Sequence, residues 1–596
     1  MDLDSQLAQL VNAQLLRPLA GLESAYQFKH ALTQETSYQS LLMKKRREIH
    51  RRVAEAYEQV YAGSLDEYAA LLAQHYAEAG EDAKTLKYAR QAGDAAARIH
   101  ANTEAVAHYS LAIDIARRAP RVDCALLTEL YLERGRSLEL LSRLDRALEN
   151  YDEMERVARE HQDREFELSA LIARATVRSI PGAVWNVQEA DLLSAQALQL
   201  ARELGNRQAE SKILWGQLMR NVYSGGDTHE ALALGQESLR IAREFNLREQ
   251  EAFTLHDLLV AYSYVGDLAS SRRVGQEAEA LWREMDNKPL WADSLIRLAV
   301  LDAMTGELEQ AEAQATRGNE ICISIGNLGG QGFSGYIRCL VQMERGNPAG
   351  ALASLQPTLE MVEMHTLEGA GIDACGEQAW ICALLGDTDR ARQLVTARFS
   401  RLQGGMELQP VWLYALLARI ELLAGNVAAA DTALRSGHVA PTIEDYQRTF
   451  PLGASVLFLA AAEVALSLKN PAQAIQILDA FLEYAQSVGI RWSVPEALCL
   501  KGEALYAEGQ VDAALAVWRS AAEQAQAMAA HANLWPILVA LYKAERDRGN
   551  AIQADSLLNQ ALLIVRSIAD RTPEELRRSF LATPRIAAVF APLAHL

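Results

Sequence analysis

The sequence predicts an all-α solenoid of stacked helix pairs, and three observations carry that expectation. First, a glycine followed by a polar residue recurs at Gly226-Asp227, Gly266-Asp267, Gly306-Glu307, Gly346-Asn347, Gly386-Asp387, Gly425-Asn426, Gly509-Gln510 and Gly549-Asn550, with Lys469-Asn470 in the same role. These marks follow one another at a nearly constant step of about 40 residues. Second, a small residue follows five positions later: Ala231, Ala311, Ala351, Ala391, Ala430, Ala474, Ala514 and Ala554, with Ser271 as the variant. Third, apolar residues between these marks fall three and four apart, as in Leu295, Leu298, Leu301 and then Leu308, Ala311, Ala315. That is helix period, and no alternation long enough for a sheet is found. A period of this size means units that bury their apolar faces only against their neighbours.

Each element of one unit has a physical reason. The glycine supplies the positive φ that ends the first helix. The Asp, Asn, Glu or Gln behind it offers an acceptor to the free amides of the second helix. The small residue one turn further on lets the two helices approach closely. Upstream of Gly226 the pattern loosens. Ser142 takes a turn position with Ala147 five positions on, a longer connection runs from Ile180 to Val187, and shorter units turn near Gly80 and Asn102. Past Gly549 the last long helices run through Val565. Pro573 behind Thr572 then opens a short closing helix that ends in a capping segment. Counting turns gives about a dozen helix pairs.

Composition agrees. Half the residues are hydrophobic and only 7% aromatic, as suits helices packed through alanine and leucine. The six cysteines (Cys124, Cys322, Cys339, Cys375, Cys382 and Cys499) form no CxxC pair, which argues against zinc and against a secreted disulfide scaffold. With no signal peptide and no apolar run long enough to span a bilayer, a cytoplasmic protein without a membrane partner is expected. The net charge of −19 disfavours direct nucleic-acid binding. The basic run Lys44-Lys45-Arg46-Arg47 with Arg51-Arg52 reads as a solvated helix face that docks intramolecularly, with nucleic acid or an acidic domain face as the other reading. His100 and His108 lie eight apart without a carboxylate pattern and do not suggest a metal, and Cys375 and Cys382 suggest one buried helix face.

Aligned on the turn glycine, Trp215, Leu218 and Ala231 fall on signature positions of the tetratricopeptide repeat, which the array resembles. The resemblance implies a right-handed superhelix. The longer period implies helices of about 17 residues, or about 25 Å. HEAT repeats, whose period fits, rank second because the Gly-polar-x-x-x-Ala punctuation suits tetratricopeptide units. The N-terminal Tyr26-Gln27-Phe28-Lys29-His30-Ala31-Leu32, with Tyr38, Leu41-Leu42, Arg46-Arg47, His50 and Val53-Ala54, resembles the end of a winged-helix module in bacterial STAND ATPases. That group includes the maltose-regulator-type activators and cyclase-associated ATPases. Leu72 to Gly80, Lys84 to Tyr88 and Ala101 to Tyr109 resemble the bridging repeats found there, and Leu576-Arg577-Arg578-Ser579-Phe580-Leu581 resembles a recurrent ending. The organisation expected is a winged-helix remnant and linker over 1–60, short bridging repeats over 61–120, the long-helix superhelix over 121–570 and a capping segment over 571–596.

No GxxxxGK[ST], HExxH, GxSxG or kinase set occurs, so neither catalysis nor a cofactor is expected, and the resemblance implies an NTPase domain upstream as a partner. In tetratricopeptide arrays the first helix of each pair lines the concave groove. Counting back thirteen, ten, six, three and two positions from each turn glycine selects Arg220, Tyr223, Phe253, His256, Tyr264, Asp293, Phe333, Tyr336, Asp373, Trp380, Trp412 and Arg419. Stacking faces with separated charges suit a small polar ligand or an extended peptide. Inter-repeat packing is the other role open to them, since a one-residue register error turns a helix by about 100°. The resemblance implies a sensor whose groove binds an inducer, small molecule or protein, and relays it to the ATPase. A free-standing scaffold for proteins or peptides is the alternative, and an enzyme has no support in the residues.

Overall fold

The computed structural model describes residues 3–19, 25–99, 101–141, 143–179, 184–223, 226–363, 370–399, 408–439, 441–444 and 451–591. It is an all-α, tetratricopeptide-like solenoid of consecutive antiparallel helix pairs, in two compact units, residues 1–206 and 207–596. The helices have the length the period requires: Arg207–Tyr223, Thr228–Glu244, Arg248–Tyr264, Leu268–Glu284, Lys288–Met304 and Leu308–Ser324 are each 17 residues.

The first unit opens with the helix Leu3–Asn12 and two short strands, Leu16–Pro18 and Tyr26–Phe28, paired antiparallel with Arg17 opposite Gln27. No sheet was expected, because strands this short give alternation no room to register. Helices then pack in sequence from Met43–Val60 to Val187–Leu204 around a core rich in tyrosine, with Tyr76, Tyr88, Tyr109 and Tyr131 fully buried. His100, Ser142 and the start of the Ile180–Val187 connection lie outside the described residues. The end of that connection caps the next helix, Asn186 accepting from the amide of Glu189 at 3.1 Å.

The second unit stacks nine helix pairs among the described residues, from Arg207–Tyr223 to Ala551–Asp570, followed by Glu574–Ala582 and Pro584–Phe590. The turn chemistry is as expected for Gly266, Gly306, Gly346, Gly386, Gly425, Gly509 and Gly549, whose φ values run from 72° to 91°, and Lys469 adopts 61°. The small residues behind them, Ser271 included, are buried. Capping is less uniform. Asp227, Asp267, Asn347, Asp387 and Asn470 accept helix amides. Glu307 and Gln510 do not, and Asn426 and Asn550 instead donate back to Glu421 and Glu545. The extra methylene of Glu and Gln carries the acceptor past the amides that the shorter side chains reach. Pro573 likewise sits one place before the closing helix, with ψ of 141°, and Thr572 donates its hydroxyl to the Ile568 carbonyl.

First helices of neighbouring repeats approach one another, as Lys288–Met304 does Leu328–Glu344, far more closely than neighbouring second helices do. First helices therefore form the inner layer of the curve. The second unit also meets itself edge to edge. A Cβ built on Gly266 would strike Val488, one on Gly306 would meet Met528, and one on Gly346 would lie 2.8 Å from Ile568. The partners stand at one constant offset along the chain (266 to 488, 306 to 528, 346 to 568), about five and a half repeats. Backbone hydrogen bonds join the two edges: Arg491 and Trp492 amides donate to the Met304 carbonyl at 2.8 and 3.1 Å, and the Ala349 amide to that of Arg571 at 2.9 Å. Gly386 faces Ser579, whose hydroxyl donates to the Leu385 carbonyl at 2.7 Å. One turn of the superhelix thus rests on the next, and the inner face is flanked by protein along this seam.

Candidate ligand-binding face of the second unit

Two constellations occupy first helices, each assembled from consecutive repeats. In the first, Asp257 accepts from Trp215 Nε1 at 2.7 Å and from the Tyr223 hydroxyl at 3.0 Å. One repeat on, Asp293 holds Arg297 Nε at 2.9 Å and His256 Nε2 at 2.7 Å, while His256 Nδ1 meets the Ser294 hydroxyl at 3.0 Å. The two ring nitrogens of His256 thus bridge the Asp293 carboxylate and the Ser294 hydroxyl. The Arg297 guanidinium lies 5.9 Å from the Tyr223 ring centre. Burial alone would raise the Asp293 carboxyl, but Arg297 and His256 outweigh it and hold the group below the usual carboxylate range. Burial pushes the Tyr223 and Tyr264 phenols up. Tyr223 is nevertheless 41% exposed.

In the second constellation Arg419 lies 4.3 Å over the Trp380 ring. It donates through Nε and Nη2 to both oxygens of Glu463, at 2.9 and 3.1 Å, and through Nη2 to Glu496. These three residues belong to three successive first helices, Leu408–Leu423, Pro451–Ser467 and Val494–Ala507. Close by, Glu344 accepts from Asn533 Nδ2 at 2.8 Å. Burial and then Glu496 push its carboxyl up to about 8, against the opposing pull of Asn533 and Arg419. Burial raises the neighbouring Glu503 as well.

Of the residues selected from sequence, Tyr223, His256 and Asp293 meet in the first constellation, with Tyr264 within electrostatic reach of Arg297. Trp380 and Arg419 meet in the second. Others are engaged in packing. Phe253 lies between Trp215 and Trp282, with ring centres at 5.1 and 4.8 Å, Tyr336 and Arg220 are buried, and Phe333 is half-buried against the core. Trp412 is buried against Gly376 and Gly453, where the missing side chains make room for the indole. The side chain of Asp373 lies outside the described residues.

Asp257, Arg297, Glu344, Glu463 and Glu496 were missed, and the signal was in reach. The stripe that faces inward lies thirteen, nine, six and two positions before the turn, spacings of four and three. Position nine carries Asp257 and Arg297, and the other three carry Glu496, Glu463 and Glu344. Positions ten and three contribute His256 and Tyr223 to the first constellation, while Tyr336, also at position ten, is buried in packing.

No family model matches the chain, and no curated protein matches it. Among solved structures it is similar to BtubC (BKLC) from P. vanneervenii, at 16% identity over 41% of this chain and 93% of that one, with a TM-score of 0.30. It is similar to a Signal Transduction ATPase with Numerous Domains protein with a tetratricopeptide repeat sensor, PH0952 from Pyrococcus horikoshii, at 13% identity over 74% of this chain and 58% of that one (TM-score 0.38). A third likeness is to the APC/C hetero-tetramer Cut9-Hcn1, at 14% identity, 92% and 95% coverage and a TM-score of 0.34.

Proposed function

We propose that this chain is the non-catalytic sensing region of a STAND-type signal-transduction ATPase. In this reading the inner face of the second unit binds an inducer, a small molecule or a protein, and relays its presence to an upstream nucleotide-binding domain in the cytoplasm. The observation that carries it is the gathering of aromatic and charged side chains from consecutive first helices on a face flanked by protein. A face of this kind suits a ligand that needs stacking surfaces and a few orienting charges. The N-terminal helix and short antiparallel ribbon support the winged-helix resemblance of residues 1–60. The relay is a population shift: an inducer that binds only the assembly-competent arrangement pulls the protein toward it.

Native mass spectrometry of the chain incubated with a cell lysate tests the reading. An added mass of a few hundred daltons, lost in both Trp380→Ala and Asp257→Asn variants that remain folded, is the expected result. A mass retained in both variants removes the inner face from consideration. A protein-sized addition that survives both substitutions favours the scaffold alternative.

A further inference from the structure

The edge-to-edge contact of successive turns is built differently from the rest of the solenoid. Packing between neighbouring repeats is apolar and continuous, whereas this seam is a narrow row of links at glycine tips, polar bonds beside the apolar contacts to Val488, Met528 and Ile568. Besides the three backbone bonds and Ser579, Asn533 reaches Glu344, and His531 Nδ1 meets the Arg345 carbonyl at 3.3 Å. The glycines divide accordingly. Gly425, Gly509 and Gly549 have open space where a Cβ would stand, while Gly266, Gly306, Gly346 and Gly386 face the next turn. A narrow seam between two well-packed edges buries far less than the packing of neighbouring helix pairs, and contacts of this kind open below the global unfolding energy.

We propose that the seam is a reversible latch, along which the second unit opens and recloses as one piece, and that deprotonation of Glu344 favours the open form. The carboxyl accepts from Asn533 on the helix His531–Asp547 and lies within electrostatic reach of Glu496 from Val494–Ala507 and Arg419 from Leu408–Leu423; its neighbour Arg345, paired with Glu312, offers its carbonyl to His531. In the closed form it is pushed up to about 8. Opening returns it to water and toward an ordinary carboxylate. The closed form is therefore most favoured below the ordinary carboxylate value, and that advantage drains away as pH rises to about 8. The latch does not depend on the inner face being a ligand surface. If that face binds the inducer, the seam is its gate.

Hydrogen exchange of the full chain tests this without any ligand. The amides of Ala349, Arg491 and Trp492 are expected to exchange as a group, faster than the buried helices. After correction for intrinsic rates, their open population should grow by up to roughly tenfold per unit between pH 6 and 8. Glu344→Gln, a neutral isostere, should flatten that dependence while His531 remains in place. Exchange of the three amides only through global unfolding, or an unchanged pH profile in Glu344→Gln, overturns the proposal.

A second arm probes closure directly. A Cβ on Gly346 would stand 3.3 Å from that of His531, close to the roughly 3.5–4.5 Å that a disulfide spans. The Gly346→Cys/His531→Cys pair should crosslink under oxidation and slow exchange at Ala349, with release on reduction. Gly346→Asn keeps the left-handed turn but meets Ile568. It should expand the chain in small-angle scattering while Gly509→Asn does not. Equal behaviour of the two Asn variants also counts against the latch.

Discussion

Replacing Arg419 with alanine gives the sharpest test of how the inner face is held together. The guanidinium is 5% exposed, bonded to both oxygens of Glu463 and to Glu496, and stacked on Trp380. Removing one partner of a buried ion pair costs about 3–5 kcal/mol, because the charge left behind has neither partner nor water. Glu463 and Glu496 keep 20% and 27% of their side-chain surface, so water returns part of that and about 2–3 kcal/mol remains. The lost stacking on Trp380 adds about 1 kcal/mol, for a total of about 3–4 kcal/mol at pH 8. Arg419→Met, which keeps the volume, should cost about 2–3 kcal/mol. The sign of the pH dependence follows from the company left behind. Without Arg419, Glu463 and Glu496 lose the cation that pairs them and stand beside Glu344, and taking up a proton relieves the repulsion. Protonation in the folded variant raises a carboxyl above its unfolded value, so the deficit should shrink as pH falls from 8 to 5. Urea unfolding of wild type and both variants at the two pH values, followed by tryptophan fluorescence, measures this directly. A deficit below about 1 kcal/mol, or one that grows toward pH 5, refutes the account of the cluster.

Three further outcomes are expected. Gly509→Ala should cost about 1 kcal/mol for its left-handed φ alone, whereas Gly266→Ala should cost distinctly more because its methyl also meets Val488; paired thermal melts read the difference. Ala311→Leu, at a fully buried position behind a turn, should destabilise by about 1–3 kcal/mol through overpacking, and protection should fall first in the flanking helix pair by hydrogen exchange. In the first unit, burial opposes ionisation of the Glu58 carboxyl, but Lys84, Tyr88 and Tyr76 outweigh it and bring the group down to about 2. Its stabilisation is full above the ordinary carboxylate value and lost as pH falls toward 2. Solvent screens part of it, so Glu58→Gln should cost ~1–2 kcal/mol at pH 7 and nearly nothing at pH 2, read by urea unfolding at the two pH values.

What sequence could and could not reveal here follows from the range of each interaction. The turn glycines, the small residues and the helix length are consequences of one repeat touching the next, so they recur in every repeat and were readable. The identity of each cap was less so, because Asp267 and Glu307 look equivalent in the pattern while only the shorter acid reaches an amide. The inner stripe was half read: its positions are periodic, and counting ten and three reached His256 and Tyr223, yet leaving out position nine passed over Asp257 and Arg297. The seam left no periodic trace at all, since Gly306 and Met528 belong to repeats that share no boundary. Here the repeated letter conceals the difference. Glycine is favoured at most of these turns by backbone geometry, so a glycine that is also needed for the approach of a second turn looks the same as one that faces open space. Gly346 and Gly549 have φ values of 72° and 82° and a polar residue next in line, yet one abuts Ile568 and the other meets nothing. A solenoid can therefore acquire a contact between distant repeats without altering the consensus that defines it, and substitution at otherwise equivalent glycines is the way to find it.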